Sequence, residues 1–213
     1  MTSLPSRNQI DAIIFDFGGV LFDIDYNAPV EAFKKLNLAN FQEWYAKAGQ
    51  SKLFDELEVG NIKGDEFLEE LAQLSTTPVE KHQIKSAWNA ILKGISKDRI
   101  QLIHDLSNSH RTFLLSNTNA LHVEAFEKVL EEVMGMEFYR TAFEHIHYSN
   151  VLGMRKPHPE TFLHVCSLHD LEPARTLFID DSKQHVDGAL KAGLIAYHLE
   201  LSEEDIHQAF KNW

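Results

Sequence analysis

Apolar residues follow two rhythms along this chain. Between about residues 27 and 97 they recur at near-helical spacing: Val30, Phe33, Leu36 and Leu38, then Phe54 and Leu57, then Phe67, Leu68, Leu71 and Leu74. That spacing predicts a run of amphipathic helices with almost no strand signal. Turn or cap chemistry interrupts it at Gly49, at Gly60-Asn61 and at Thr76-Thr77-Pro78. On either side the rhythm changes. Ala12-Ile13-Ile14-Phe15 is a continuous apolar run of buried-strand length. After residue 97, helical patterns alternate with short apolar runs. Ile100, Ile103 and Leu106 precede the run 113–115, and Val123, Phe126, Val129 and Leu130 precede 146–148. Phe162 and Val165 then precede 177–179, and Val186 and Leu190 precede 194–197. Such alternation predicts a parallel sheet with helices on both faces.

The chain therefore reads as α/β. A Rossmann-like parallel-sheet core comprises residues 1–24 and 97–213, and an α-helical cap, 25–96, is inserted between its first and second strands. The alternative is a single α/β domain whose extra helices only pack, but roughly 70 residues of helix is more than a crossover needs. A cap in that position can close over the strand tips, exclude water and choose substrates. Trp44, Glu58, Asn61 and Trp88 are its candidates for lining a pocket.

Composition narrows the partners. With 213 residues, 44% apolar and 24% charged, the chain can bury a sizeable core and has the balance of a soluble globular protein. A formal net charge of −12 argues against nucleic acid or an anionic membrane surface as partner. An anionic substrate would need local positive charge, which Arg155, Lys156 and a bound cation would supply. The single cysteine, Cys166, excludes an internal disulfide and fits a reducing compartment. Its neighbours Phe162, Leu163 and Val165 predict a buried structural thiol. Residues 1–7 lack the apolar core of a signal peptide and no run has the length of a membrane span, so a cytoplasmic monomer or homodimer is expected.

The chemistry lies at the strand ends. Asp16 follows the first apolar run and precedes Phe17-Gly18-Gly19, a turn that lets something approach the backbone. In an open α/β sheet, ligands bind beyond the carboxyl ends of the strands. Later runs also end in polar groups: Leu114-Leu115-Ser116-Asn117, then Gly153-Met154-Arg155-Lys156-Pro157 just after 145–149, and Leu177-Phe178-Ile179-Asp180-Asp181. Tips carrying Asp, Ser, Lys and Asp-Asp suit magnesium-assisted transfer of a phosphoryl group. Two unit charges at 4 Å repel by roughly 4 kcal/mol at an effective dielectric of about 20, so Asp16, Asp180 and Asp181 together imply a cation. All-oxygen donors with open positions suit Mg²⁺.

In this order the four runs resemble the four motifs of the haloacid dehalogenase superfamily, and the likeness extends along nearly the whole chain. The segments 22–26, 115–119, 152–157 and 178–181 are most similar to its bacterial α-D-glucose-1-phosphate phosphatase branch. The resemblance implies that Asp16 is the nucleophile of a phosphatase acting on a small phosphorylated metabolite, of the sugar phosphate kind. It implies metal ligation by Asp16, the carbonyl of Gly18 and Asp181, with Asp180 direct or through water. Ser116 and Asn117 are expected to hold phosphoryl oxygens, and Lys156 to offset charge on nucleophile and phosphate.

One position departs from the family's phosphatase pattern. A second aspartate usually stands two residues after the nucleophile and protonates the leaving oxygen; this chain has Gly18. General acid catalysis is typically worth about 10²–10⁴-fold. A C1 hemiacetal oxygen suffers less from its loss, and Asp23 or a cap residue is the alternative donor. Two other readings stand beside the phosphatase: a non-catalytic phosphate-binding or regulatory protein, and a dehalogenase, which needs no magnesium. His145, His147 and His158 invite a zinc reading, but no His or Cys spacing matches a closed site.

Overall fold

The computed structural model describes residues 4–38 and 52–213; Gly49 and Trp44, named above as a break and a pocket candidate, lie outside the described residues. The described strands are β1 (Ala12–Phe15), β2 (Phe22–Ile24), β3 (Leu92–Ile95), β4 (Arg111–Ser116), β5 (His145–Tyr148), β6 (Thr176–Asp180) and β7 (Ile195–His198). The described helices are α1 (Asn27–Lys35), α2 (Lys52–Glu58), α3 (Gly64–Ala72), α4 (Lys81–Trp88), α5 (Lys97–Ser107) and α6 (Ala120–Val133). They continue with α7 (Met136–Thr141), α8 (Ser149–Leu152), α9 (Pro159–Leu168), α10 (Lys183–Lys191) and α11 (Ile206–Phe210).

Five strands make one parallel sheet in the order β5-β4-β1-β6-β7. Along each strand, successive side chains enter different cores. Ile13, Phe15, Leu114, Leu177 and Ile179 face one cluster, and Ala12, Ile14, Phe113, Leu115 and Phe178 face the other. Both faces are buried, which is why these strands read as continuous apolar runs rather than alternating ones. Cys166, on α9, is buried in the second cluster, and burial pushes its thiol up to about 11.

The chain leaves β1 for β4 and β5 on one side and returns to β6 and β7 on the other, so β1 adjoins the switch point where ligands bind. The register is specific: Phe15 pairs with Leu114 and with Ile179. The next residues, Asp16, Leu115 and Asp180, therefore emerge level with one another at the carboxyl edge. The Asp16 N–H donates to the Ile179 carbonyl at 2.9 Å and fixes that alignment.

The helices α1 to α4 bury a separate cluster, built round Phe33, Phe54, Phe67, Ile84 and Trp88 and joined by Leu121 of α6. Trp88 stacks on His122 with ring centroids 5.1 Å apart, which seats this layer on the start of α6. One element was not expected. The strands β2 and β3 form an antiparallel ribbon with Phe22 opposite Ile95 and Asp23 opposite Gly94. Leu92-Lys93-Gly94-Ile95 is short and carries a glycine, so its strand character comes from pairing with a distant segment rather than from local preference. Among the described residues, no helix is long and apolar enough to cross a membrane.

Candidate active site

Lys156 anchors the site. Its side chain is fully buried, and its Nζ donates to Asp16 Oδ1 and to Asp180 Oδ2, both at 2.6 Å. Lys156 sits not on a strand tip but in the loop between α8 and α9. The Asn117 side chain holds that loop in place. Its Oδ1 accepts from the Lys156 N–H and its Nδ2 donates to the Lys156 carbonyl, each at 2.9 Å. The Asn117 side-chain amide is thus committed to positioning the lysine, so any contact of this residue with phosphoryl oxygens falls to its backbone N–H. Ser116 is buried at the tip of β4, and its hydroxyl makes only a 3.5 Å contact with the Asn117 carbonyl, which leaves it able to serve a ligand.

Asp180 is held on three sides. Besides Lys156, its carboxylate accepts from the Ser182 N–H at 2.8 Å and lies 3.0 Å from His185 Nδ1. Ser182 precedes α10 and makes no side-chain cap; the Asp180 carboxylate closes the turn by accepting the Ser182 N–H. His185 escaped the sequence reading, because nothing local distinguishes it from the other histidines of the chain.

The electrostatics separate the acids. Burial, reinforced by the charge of Asp180, pushes Asp16 up to about 6. Burial would raise Asp180 as well, but Lys156 and His185 outweigh it and hold that carboxyl below the usual range. For Lys156, burial opposes the charge, yet Asp16 and Asp180 keep it above its ordinary value. Asp181 makes no ion pair among the described residues; burial and then the charges of Asp16 and Asp180, with Lys156 opposing, push it up to about 7.

One lysine cannot neutralise three carboxylates, and oxygens of Asp16, Asp180 and Asp181 lie within 4.8 Å of one another. The backbone around them is cut to fit. Gly19 has φ +83°, and a Cβ there would come within 2.3 Å of Asp181 Oδ2, so only glycine leaves that carboxylate in place. Clustered oxygen donors that one lysine neutralises only in part fit a hard divalent cation.

A pH test follows. In the metal-free fold, Asp16 and Asp181 retain protons to a higher pH than in the unfolded chain. Their contribution to stability is present below about pH 4 and lost as pH rises through about 6–7. A cation that needs both groups ionised opposes the loss. The rise in Tm on adding Mg²⁺ should therefore grow between about pH 5 and pH 8, as read by thermal denaturation. An equal or smaller rise at the higher pH would remove these two residues from the cation site.

A cavity of roughly 310 Å³ opens over the cluster, lined by Asp16, Gly18, Ser116, Arg155 and Asp181 from below and by Tyr26 and Glu58 from the helical layer. Of the pocket candidates read from sequence, Glu58 lines this cavity. Trp88 is buried in the helical layer instead, and Asn61 is exposed elsewhere. Asp23, the alternative proton donor, lies outside the cavity: the ribbon turns it outward to an ion pair with Arg99 at 2.6 Å. His145 and His147 join His169 in a cluster of rings at the sheet edge, away from the acids. Among the described residues, the one group offering three mutually close ligand atoms is the aspartate cluster.

A family model for haloacid dehalogenase-like hydrolases matches residues 10–193. A D-ribitol-5-phosphate phosphatase from Bacteroides thetaiotaomicron is 32% identical over 184 residues, covering 84% of this chain and 86% of that protein. A sesquiterpene phosphatase from Aspergillus oryzae is 26% identical over 195 residues, 88% and 89% of the two chains. A crystal structure of a Bacteroides thetaiotaomicron family enzyme, an aspartate-to-alanine mutant in complex with magnesium and inorganic phosphate, is similar with a TM-score of 0.86. Its identity is 30%, and the match covers 94% of this chain and 98% of that one.

Proposed function

The chain belongs to the haloacid dehalogenase-like hydrolase family, and from that premise we propose that it releases phosphate from a sugar or polyol phosphate through a phosphorylated Asp16. It is a phosphoric monoester hydrolase acting on a phosphorylated metabolite. The observation that carries the finer reading is Lys156 Nζ, 2.6 Å from both Asp16 and Asp180 at paired strand tips.

That contact fixes Asp16 Oδ1 and leaves Oδ2 as the attacking oxygen. As the Oδ2–P bond forms, the ester P–O bond breaks and the leaving oxygen departs with the bonding pair, taking its proton from solvent. Water then attacks phosphorus, yields a proton to solvent and breaks the Oδ2–P bond, freeing Asp16 and inorganic phosphate. Lys156 offsets charge on the nucleophile, and the Ser116 hydroxyl is available to a phosphoryl oxygen. Mg²⁺ held by Asp16, Asp180, Asp181 and the Gly18 carbonyl would supply Lewis-acid stabilisation of phosphoryl charge. The motif likeness to sugar-1-phosphate phosphatases and the polyol phosphate named for one relative agree on a small polyhydroxylated ester.

Phosphate release from a panel of esters tests the reading. Activity should vanish with a chelator and return with Mg²⁺. With Gly18 in place of an acid and Asp23 turned away, negative charge collects on the leaving oxygen, so aryl and C1-sugar phosphates should outpace primary alkyl phosphates of similar size. Gly18→Asp should narrow that gap. Gly18 has no left-handed φ, and a Cβ there would meet the Ile24 side chain, its Cδ1 at 3.3 Å and its Cγ2 at 3.6 Å. Full activity in excess chelator would contradict the magnesium-dependent route.

A further inference from the structure

The helical wall of the cavity carries charge that the phosphoryl chemistry leaves unused. Glu58 ends α2, and Arg155 immediately precedes the anchoring Lys156; both line the cavity over Asp16. Asp55, one turn earlier on α2, pairs with Arg155 Nη1 and so fixes the guanidinium from the side. Glu58 Oε2 lies 3.0 Å from Arg155 Nε, yet the two are not aligned as a hydrogen bond, and both atoms are buried without one. No hydrogen bond from any described residue reaches Glu58 Oε1 or Arg155 Nη2, and neither atom is among the buried orphans. The wall thus presents an open acceptor beside an open donor.

A second anionic group is a poor occupant for that pair. Arg155 already faces two carboxyls, so the local charge is neutral or negative. Burial raises Glu58 to about 7, with Lys156 opposing, which adds a carboxyl able to donate as well as accept. A hydroxyl, one donor with two acceptor lone pairs, complements an acceptor and a donor side by side. The same cavity is lined by apolar Ile24, Ile91, Leu92 and Phe126, with Tyr26, Thr118 and His122 as further polar groups.

We propose that Glu58 and Arg155 are the specificity-determining pair of this enzyme, hydrogen-bonding a hydroxyl on the substrate's carbon chain away from the phosphate. The proposal rests on the phosphatase reading and adds the requirement for that hydroxyl. A site whose buried polar groups expect a partner discriminates strongly against an analogue lacking it.

The test compares kcat/KM for a pentitol 5-phosphate with that for pentyl phosphate, the same chain without hydroxyls. Both esters have a primary leaving group, and the inductive advantage of the pentitol oxygen is common to wild type and variants, so the change in ratio between them isolates recognition. The wild-type enzyme should prefer the pentitol ester by on the order of 10²-fold or more. Glu58→Leu and Arg155→Met should each collapse the ratio towards unity, chiefly through KM, and Glu58→Gln, which keeps an acceptor oxygen, should fall between. A wild-type ratio near one overturns the proposal without any variant, and so does a ratio unchanged in both Glu58→Leu and Arg155→Met. Absence of Mg²⁺-dependent release from every ester, aryl phosphate included, instead overturns the phosphatase reading beneath it.

Discussion

Asp16→Asn should reduce turnover to below about one per cent of wild type while leaving the protein folded. An amide cannot form the acyl phosphate on which the two-step route depends. The fold should survive, because the amide oxygen still accepts from Lys156 and the strand pairing through the Asp16 N–H is untouched. Removing one of three clustered carboxyls also relieves repulsion, so at about pH 8 the metal-free variant should melt no lower than wild type. Its Tm should respond less to Mg²⁺, since one ligand is weakened. Steady-state kinetics on protein checked by mass spectrometry for deamidation, with thermal melts alongside, would decide. Residual turnover well above one per cent would remove Asp16 from the nucleophile's role.

Lys156→Ala should damage both stability and rate. Breaking a buried ion pair by removing one partner costs roughly 3–5 kcal/mol, because the remaining charges lose their compensation. Here Asp16 and Asp180 would be left facing each other beside Asp181. The deficit has a pH signature. Without the lysine the carboxyls rise further, stay protonated at low pH and ionise at a cost as pH increases, so the loss should be smaller near pH 5 than near pH 8. Added Mg²⁺ should recover part of it. In catalysis, kcat should fall more than KM rises, since Lys156 offsets charge that grows in the transition state. Urea unfolding at both pH values and a kinetic comparison would test this. Unchanged stability at pH 8 together with an unchanged kcat would leave Lys156 as ordinary loop chemistry.

The parts of this protein that sequence discloses are those set by local pattern. Apolar runs bounded by polar tips locate β1, β4 and β6, because a strand buried on both faces must be apolar throughout, and a tip residue such as Asp16 or Asp180 must then face the crevice. What escapes is decided by contacts between distant segments. The Asn117 side chain has no role assigned from sequence, and it holds the Lys156 backbone. Asp23 looked like a spare acid until the ribbon with β3 turned it to Arg99. The Glu58–Arg155–Asp55 group joins α2 to the loop before α9, and no periodicity in either segment announces it. His185 becomes significant only because the first turn of α10 returns it to Asp180.

Rapid acid quench during turnover is the most direct measurement of the central claim. Wild-type enzyme mixed with Mg²⁺ and a hydrolysable phosphate ester, quenched, digested and examined by mass spectrometry, should carry a single phosphoryl group on Asp16, absent from Asp16→Asn. Steady phosphate release with that peptide unmodified, or with the phosphoryl group on another residue, would contradict the account.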